Sequence, residues 1–431
     1  MSNQKKIKGS VSIESGFAFG SSDFREFGFP IIRMSDLRNG TVDTRHAARV
    51  SPAVVMGLDQ FKLKSGDLLL GMSGSLDGYG VVPKDAEVCY LNQRVGRLVV
   101  HDEKKSNYSY FAKLLTSAPY IKHAYKEALG IAQLNISSKQ IEEFEAFIPD
   151  INEQEIIAKI LDTLDTAIQR TEAIIEKLKQ VKQGLLHDLL TRGIDANGEL
   201  RPPVEVAPQR YKKSPLGMIP KEWNAIRLKS LMAEPTRNGL YKPSIFHGSG
   251  PLMVQMGGLF CGDSVDYQSA TRVMVSPSEL NIFKLVEGDL LFARRSLVFE
   301  GAGLCVLVRH VPEYSTFESS IIRCRLNNAV VIPEYAVLFL RSPAAYIDRR
   351  TYIRQVAVSG VSSSDIASFL IAVPDVEEQN LIVKKERSVE KAIVKEVEYL
   401  KKIKKEKSGL MDDLLTGRVR VTKLLPAATS A

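Results

Sequence analysis

The chain lacks any apolar run approaching the roughly 18–20 residues that cross a bilayer, and no apolar core follows its basic first ten residues. Neither a membrane span nor a secretory signal is expected. Cysteine is scarce. The four, Cys89, Cys261, Cys305 and Cys324, lie in apolar, strand-like stretches without C-x-x-C spacing. They are expected as buried thiols in a reducing cytoplasm, not as disulfides or metal ligands.

Catalytic signatures are missing as well. There is no G-x-x-x-x-G-K-[ST] loop, no H-E-x-x-H and no Cys/His group at zinc spacing. The six histidines are scattered. Gly78-Tyr79-Gly80 and Gly301-Ala302-Gly303 lack the strand-to-helix setting of a dinucleotide site and read as turns. Asp150, Glu155 and Lys159 resemble a nuclease set only superficially. The last two share one helix, and Asp150 is better explained as its cap. No methyl-donor site is visible. The sequence predicts no catalytic residue, no metal and no cofactor of its own.

What the chain does contain, it contains twice. Residues 148–192 and 373–417 align without a gap: Asp150, Gln154, Gly184 and Leu190 each find their counterpart 225 residues on, at Asp375, Gln379, Gly409 and Leu415. That interval is too long for a solenoid unit and matches a whole domain plus one long helix. The β-type segments ahead of each helix repeat too, with an offset of 222 at Met34/Met256 and Gly66/Gly288. Their middles diverge, so that Leu70-Gly71-Met72-Ser73-Gly74-Ser75 becomes Phe292-Ala293-Arg294-Arg295-Ser296-Leu297. A shared frame with unlike loops suits one scaffold reading two targets. The net charge of +8 and pI near 9.1 point to an anionic partner.

Both repeated stretches carry a heptad seam. It runs through Leu161, Leu164, Ile168, Thr171, Ile175, Leu178, Lys182, Leu185 and Leu189, and again through Val389, Ile393, Glu396, Leu400, Ile403, Lys407, Leu410 and Leu414. Polar interruptions fall at matching places. Glu386 breaks the pattern, so the second seam is expected to start after it. Asp150 and Asp375 read as N-caps in capping boxes with Glu153 and Glu378, and Gly193 and Gly417 as stops. The fold class predicted is α+β: two similar mixed α/β domains separated by an antiparallel intramolecular coiled coil of two long helices, pseudo-twofold. The segments are 1–150 for the first domain, 151–195 for the central helix and 196–212 for a linker. The second domain is 213–375, the C-terminal helix 376–418 and a tail 419–431.

Over nearly its whole length the chain resembles the specificity subunit of type I restriction–modification systems. The resemblance rests on Glu153-Gln154 with Ile157-Ala158-Lys159-Ile160-Leu161-Asp162, on Gly184-Leu185-Leu186 through Asp188-Leu189-Leu190-Thr191, and on Gly217-Met218-Ile219-Pro220-Lys221-Glu222-Trp223. Gly66-Asp67-Leu68-Leu69, Asn92-Gln93 and Asn135-Ile136-Ser137 resemble the frame of a first target-recognition domain. The chain departs in two places. Trp223 maps back to about residue 1, leaving the first half without that lead-in, and Glu318-Ser319 stands where Asn-Gln is expected.

The resemblance implies a non-catalytic, cytoplasmic subunit that binds double-stranded DNA and reads an asymmetric, bipartite site, one domain per half. It implies docking of type I methylation subunits, in two copies, and of the restriction subunit through the complex. S-adenosylmethionine and ATP with Mg would then bind on those partners. The DNA-contact candidates are Arg45, Arg49, Ser73, Ser75, Gln93 and Arg94 in the first domain. In the second they are Arg272, Arg294, Arg295, Ser296 and Ser319. Partner docking is expected on outer helix faces bearing Glu172, Glu176, Lys177, Lys179, Lys401, Lys402, Lys404 and Lys405. The competing reading is a coiled-coil scaffold with two ligand-binding domains and no DNA.

Overall fold

The computed structural model describes residues 4–38, 40–128, 134–355 and 358–425. The chain divides into two compact units, one of Met1–Ala173 with Val397–Ala431 and one of Ile174–Glu396. Both divisions fall inside the long helices, Ile151–Thr191 and Val376–Leu415. Each unit therefore owns one β-rich domain and about half of each helix.

In the first unit a six-stranded sheet places Val95–Val100 between Val11–Ser15 and Leu68–Gly71. A second sheet sets Phe29–Ile32 between Tyr90–Leu91, parallel to it, and Arg49–Val50, antiparallel. The second unit repeats the plan. His247–Val254 lies between Ser315–Phe317, parallel, and Thr271–Val273, antiparallel, while Leu290–Ala293 lies between Cys305–Leu307 and Ile321–Cys324. The Gly66-Asp67 and Gly288-Asp289 turns that precede the buried strands are built alike. Asp67 and Asp289 accept from the backbone of Lys64 and Val286 at 2.8 and 2.9 Å, and Gly66 and Gly288 donate to Val82 and Val308, both at 2.9 Å.

The helices pair antiparallel within each unit. Lys407 meets Asp165 at 2.5 Å and Lys404 meets Glu172 at 2.7 Å in the first; Lys182 meets Glu390 at 2.7 Å and Glu386 at 2.8 Å in the second. Every expected seam residue is buried or half-buried. The seam does not start after Glu386, however. Glu386 is 3% exposed and stands where the first copy has Leu161, neutralised by Lys182. Burial works against the charge on Lys182, but Glu386 and Glu390 outweigh it and raise its pKa.

The helix ends are held by a device the sequence shows only in part. Asp150 and Asp375 do cap, accepting from the amides of Glu153 and Glu378 at 3.1 and 2.8 Å. The two glutamates do not complete a capping box. Glu153 takes two bonds from Arg420 (2.8 and 2.6 Å) and one from the Val421 amide (3.2 Å). Glu378 takes two from Arg201 (2.5 and 3.0 Å) and one from the Ile194 amide (2.7 Å). Each partner segment follows the end of the opposite helix, just past Gly193 or Gly417, whose φ of +67° and +72° supply the left-handed stop. So 196–212 is no free linker: Arg201 is buried and Tyr211 donates to the Pro202 carbonyl at 2.6 Å.

Gln154 and Gln379 tie each helix start to its own domain. They accept from the amides of Asn107 and Ile332, both at 2.8 Å, and donate to the carbonyls of Pro149 and Pro374. Three cysteines are buried as expected, and burial pushes the Cys89 and Cys324 thiols up to about 12. Cys261 is the correction, since it is exposed on the loop after Met256–Leu259. Among the described residues no helix is long and apolar enough to cross a membrane.

Candidate nucleic-acid interface

Where a loop leaves a buried strand, its buried backbone amides and carbonyls need partners, and neighbouring segments supply them. In the first domain the loop after Leu68–Gly71 is held from two sides. Met72 donates to the Arg94 carbonyl at 3.1 Å and accepts from Ile136 at 2.9 Å; Gly74 donates to the Leu134 carbonyl at 2.8 Å, and Ser73 bridges Asn135. In the second domain Arg294 donates to the Ser320 carbonyl at 2.9 Å and accepts from Val361 at 3.0 Å, while Arg295 pairs with Gly360. These are the same bonds at offsets of 222 to 226.

The structure thereby brings many of the candidates to one rim in each domain. Ser73, Gln93 and Arg94 share it in the first, and Arg294, Arg295, Ser296 and Ser319 in the second. Gln93, Arg94 and Arg295 are exposed, Arg294 and Ser319 half-buried, Ser73 and Ser296 buried. Arg294 also reaches the Ser319 carbonyl at 3.4 Å. Ser75, farther along the loop, donates to Asp77 at 2.5 Å, and with Tyr125 it holds that carboxyl below its usual range.

Arg45, Arg49 and Arg272 lie elsewhere. Arg45 is exposed on the loop before Arg49–Val50. Arg49 donates to both oxygens of Glu87 (2.9 and 2.5 Å) and to the Gly28 carbonyl at 2.9 Å. Arg272 does the same with Glu313 (3.1 and 2.6 Å) and the Gly250 carbonyl at 2.8 Å. The two arginines are thus structural counterparts with their forks already engaged. Hydrogen bonding and charge from Glu87 and Glu313 raise the pKa of each.

Sequence reasoning missed three features. Gly16 and Gly239 back the rim so closely that a Cβ would sit 2.1 Å from the carbonyl oxygen of Leu91 or Glu318; the signal was Ser15-Gly16-Phe17 against Asn238-Gly239-Leu240. Glu318, where Asn92 was the expected type, accepts from the Met256 amide at 2.6 Å and so braces the frame. Arg354 was not singled out, because its strand, Arg354–Gln355, comes beside Arg295 only through Ser359–Gly360.

On the helices, Glu172 and Lys404 were expected on outer faces but meet each other at 2.7 Å across the pair. Glu176, Lys177, Lys179, Lys401, Lys402 and Lys405 are exposed, and Lys179 and Lys402 form ion pairs with Glu176 and Glu406 of their own helix.

One frame built twice, with unlike polar rims and an antiparallel helix seam shared by both copies, defines a two-site recognition module. Comparisons with known proteins give its relatives. Residues 2–180 match the type I restriction modification DNA specificity domain. The chain is 28% identical over 364 residues to the type I restriction enzyme EcoKI specificity subunit of Escherichia coli, covering 83% of this chain and 74% of that one. It is 22% identical to the putative MjaX specificity subunit of Methanocaldococcus jannaschii, over 92% and 88% of the two chains. In fold it resembles the S subunit from M. genitalium, with 14% identity, 96% of each chain covered and a TM-score of 0.54. The chain is thus similar over most of its length to the specificity subunits of type I restriction–modification systems, and its fold is like that of a solved S subunit.

Proposed function

We propose that this chain sets DNA sequence specificity for a type I restriction–modification complex, each domain reading one half of an asymmetric bipartite site. The observation that carries the reading is the pair of equivalent rims with different side chains. Ser73 corresponds to Arg295, Gln93 to Ser319, Arg94 to Ser320 and Asn135 to Gly360. A common frame fixes the approach to the duplex, and the differing rim residues give each copy its own sequence.

The chain acts without a catalytic group of its own. Methyl donor, nucleotide and Mg belong to its partners in the cytoplasm. Two methylation subunits dock on the helices, because two similar helical repeats offer two similar faces; Glu176, Lys177, Lys179, Lys401, Lys402 and Lys405 contribute. Glu172 and Lys404 contribute from the edge of the helix pair. The restriction subunit joins through that complex. Arg45 contacts phosphate away from the rims, Arg49 and Arg272 brace their frames through Glu87 and Glu313, and Ser75 orders the first loop through Asp77.

Co-expression with a type I methylation subunit tests this. The two are expected to co-purify and to retain duplex DNA with an affinity that falls steeply with salt. A chain that captures no methylation subunit and shows no salt-dependent DNA retention would be the DNA-free scaffold instead.

A further inference from the structure

The ribbon that closes the second rim carries a pattern with no counterpart among the described residues of the first. Arg295 pairs with Gly360 and Gly360 with Arg354, so the three form one cross-strand row; Ser296, Ser359 and Gln355 form the next. Residues paired across strands share a face, and neighbours along a strand alternate. Both arginines therefore rise from the same face. On the two inner strands burial agrees: Ser296 and Ser359 are 9% and 2% exposed while Arg295 is exposed; on the outer strand both Arg354 and Gln355 are exposed, so there the face is fixed by the pairing alone.

Gly360 places no side chain between them, and adjacent strands lie about 4.8 Å apart, so the two α-carbons stand roughly 10 Å apart across an open gap. Arg295 has no side-chain partner among the described residues. Arg354 touches Asp365 at 3.1 Å with its side chain still 72% exposed. Asp365 is itself fixed as a cap partner by the amide and hydroxyl of Ser362, so this contact aims Arg354 without covering it.

We propose that Arg295 and Arg354 are a guanine-reading pair, specificity residues that meet guanine O6 and N7 edges in the major groove from either side of Gly360. The inference rests on the DNA reading above and deepens it. A β-ribbon fits the major groove, and the guanidinium fork matches the two adjacent acceptors of guanine. The first domain's corresponding row is the neutral Ser73–Asn135 bridge, which carries no such fork. A backbone phosphate would engage the same forks, and the experiment separates the two.

The full chain and its R295A, R354A, R295K and R354K variants are each used to select duplexes from a randomised pool, with binding measured at several salt concentrations. The wild type is expected to enrich two separated half-sequences, one containing guanine. Each alanine variant then loses guanine preference at one or two positions of that half, by about 5- to 150-fold, with the other half unchanged. The lysine variants keep the charge and the salt slope but lose the same preference, because an ammonium has no fork. Uniform weakening on all sequences with a shallower salt slope would mean a phosphate clamp and overturn the assignment, as would an unchanged guanine preference. A wild type that enriches no sequence would remove the DNA reading itself, and this site with it.

Discussion

Glu378 and Arg201 illustrate what one buried charge demands. Both side chains are nearly inaccessible, at 5% and 8% exposure, and burial works against the arginine's charge while Glu378 outweighs it and raises its pKa. Removing one partner strands the other in low dielectric. R201A is expected to cost about 3–5 kcal/mol, read from chemical denaturation of the full chain. The equivalent R420A should cost clearly less, because the Arg420 side chain is 48% exposed against 8% for Arg201, so water more readily replaces it, while each glutamate keeps one amide donor. Equal losses would contradict this account of the clamps. The sequence revealed the glutamates as helix-start residues but not their partners, because the arginines lie 177 and 267 residues away. The same limit hid Arg354, whose neighbours are set by strand pairing and not by spacing.

At the level of elements, the polar positions in the helix seam act as register marks. Lys182 and Lys407 are 225 apart, as are their partners Glu390 and Asp165, so the repeat conserves a charged layer in each unit. The heptad spacing made these interruptions visible, but it marked Glu386 as a break in the seam. Periodicity measures hydrophobicity, and a buried ion pair defeats it. K182M is expected to destabilise the second unit by about 3 kcal/mol, by orphaning buried Glu386. E386L, which installs the residue type of the first copy at Leu161, should be neutral or stabilising in the same assay. A large loss in E386L would show that the pair is needed for packing.

The pH dependence of the helix pair has a defined sign. Burial raises the Asp165 pKa, but Lys113 and Lys407 outweigh it and hold it below the usual 3.8. A depressed carboxylate contributes stability that is complete above its unfolded value and lost as pH falls through the folded one. Lys113 and Lys182 are raised above 10.5, so their contributions are complete at neutral pH and fade only in strong alkali. The melting temperature of the wild type should therefore fall steeply below about pH 4, and D165N should flatten that acid limb. An identical acid limb in D165N would contradict the role given to Asp165.

For the whole molecule, the duplicated frame was readable because each copy keeps its Gly-Asp turn, its glutamine and its capping aspartate. The recognition chemistry was readable only as residue types on loops. Of the DNA candidates, the structure sets Ser73, Gln93, Arg94, Arg294, Arg295, Ser296 and Ser319 at the two rims and engages Arg49 and Arg272 with carboxylates. Each helix contributes to both units, and the proposed reading makes helix length the ruler for the unread gap between half-sites. Inserting one heptad into each, after Thr171 and after its counterpart Glu396, should lengthen the preferred gap by about three base pairs; selected sites with an unchanged gap would refute the ruler.

The central claim is that one scaffold, used twice, reads two different sequences. Mapping every methylated site made when this chain is co-expressed with a type I methylation subunit tests it most directly. Two unlike half-sequences separated by a fixed unread gap are the expected result. A continuous, symmetric or absent consensus would contradict it.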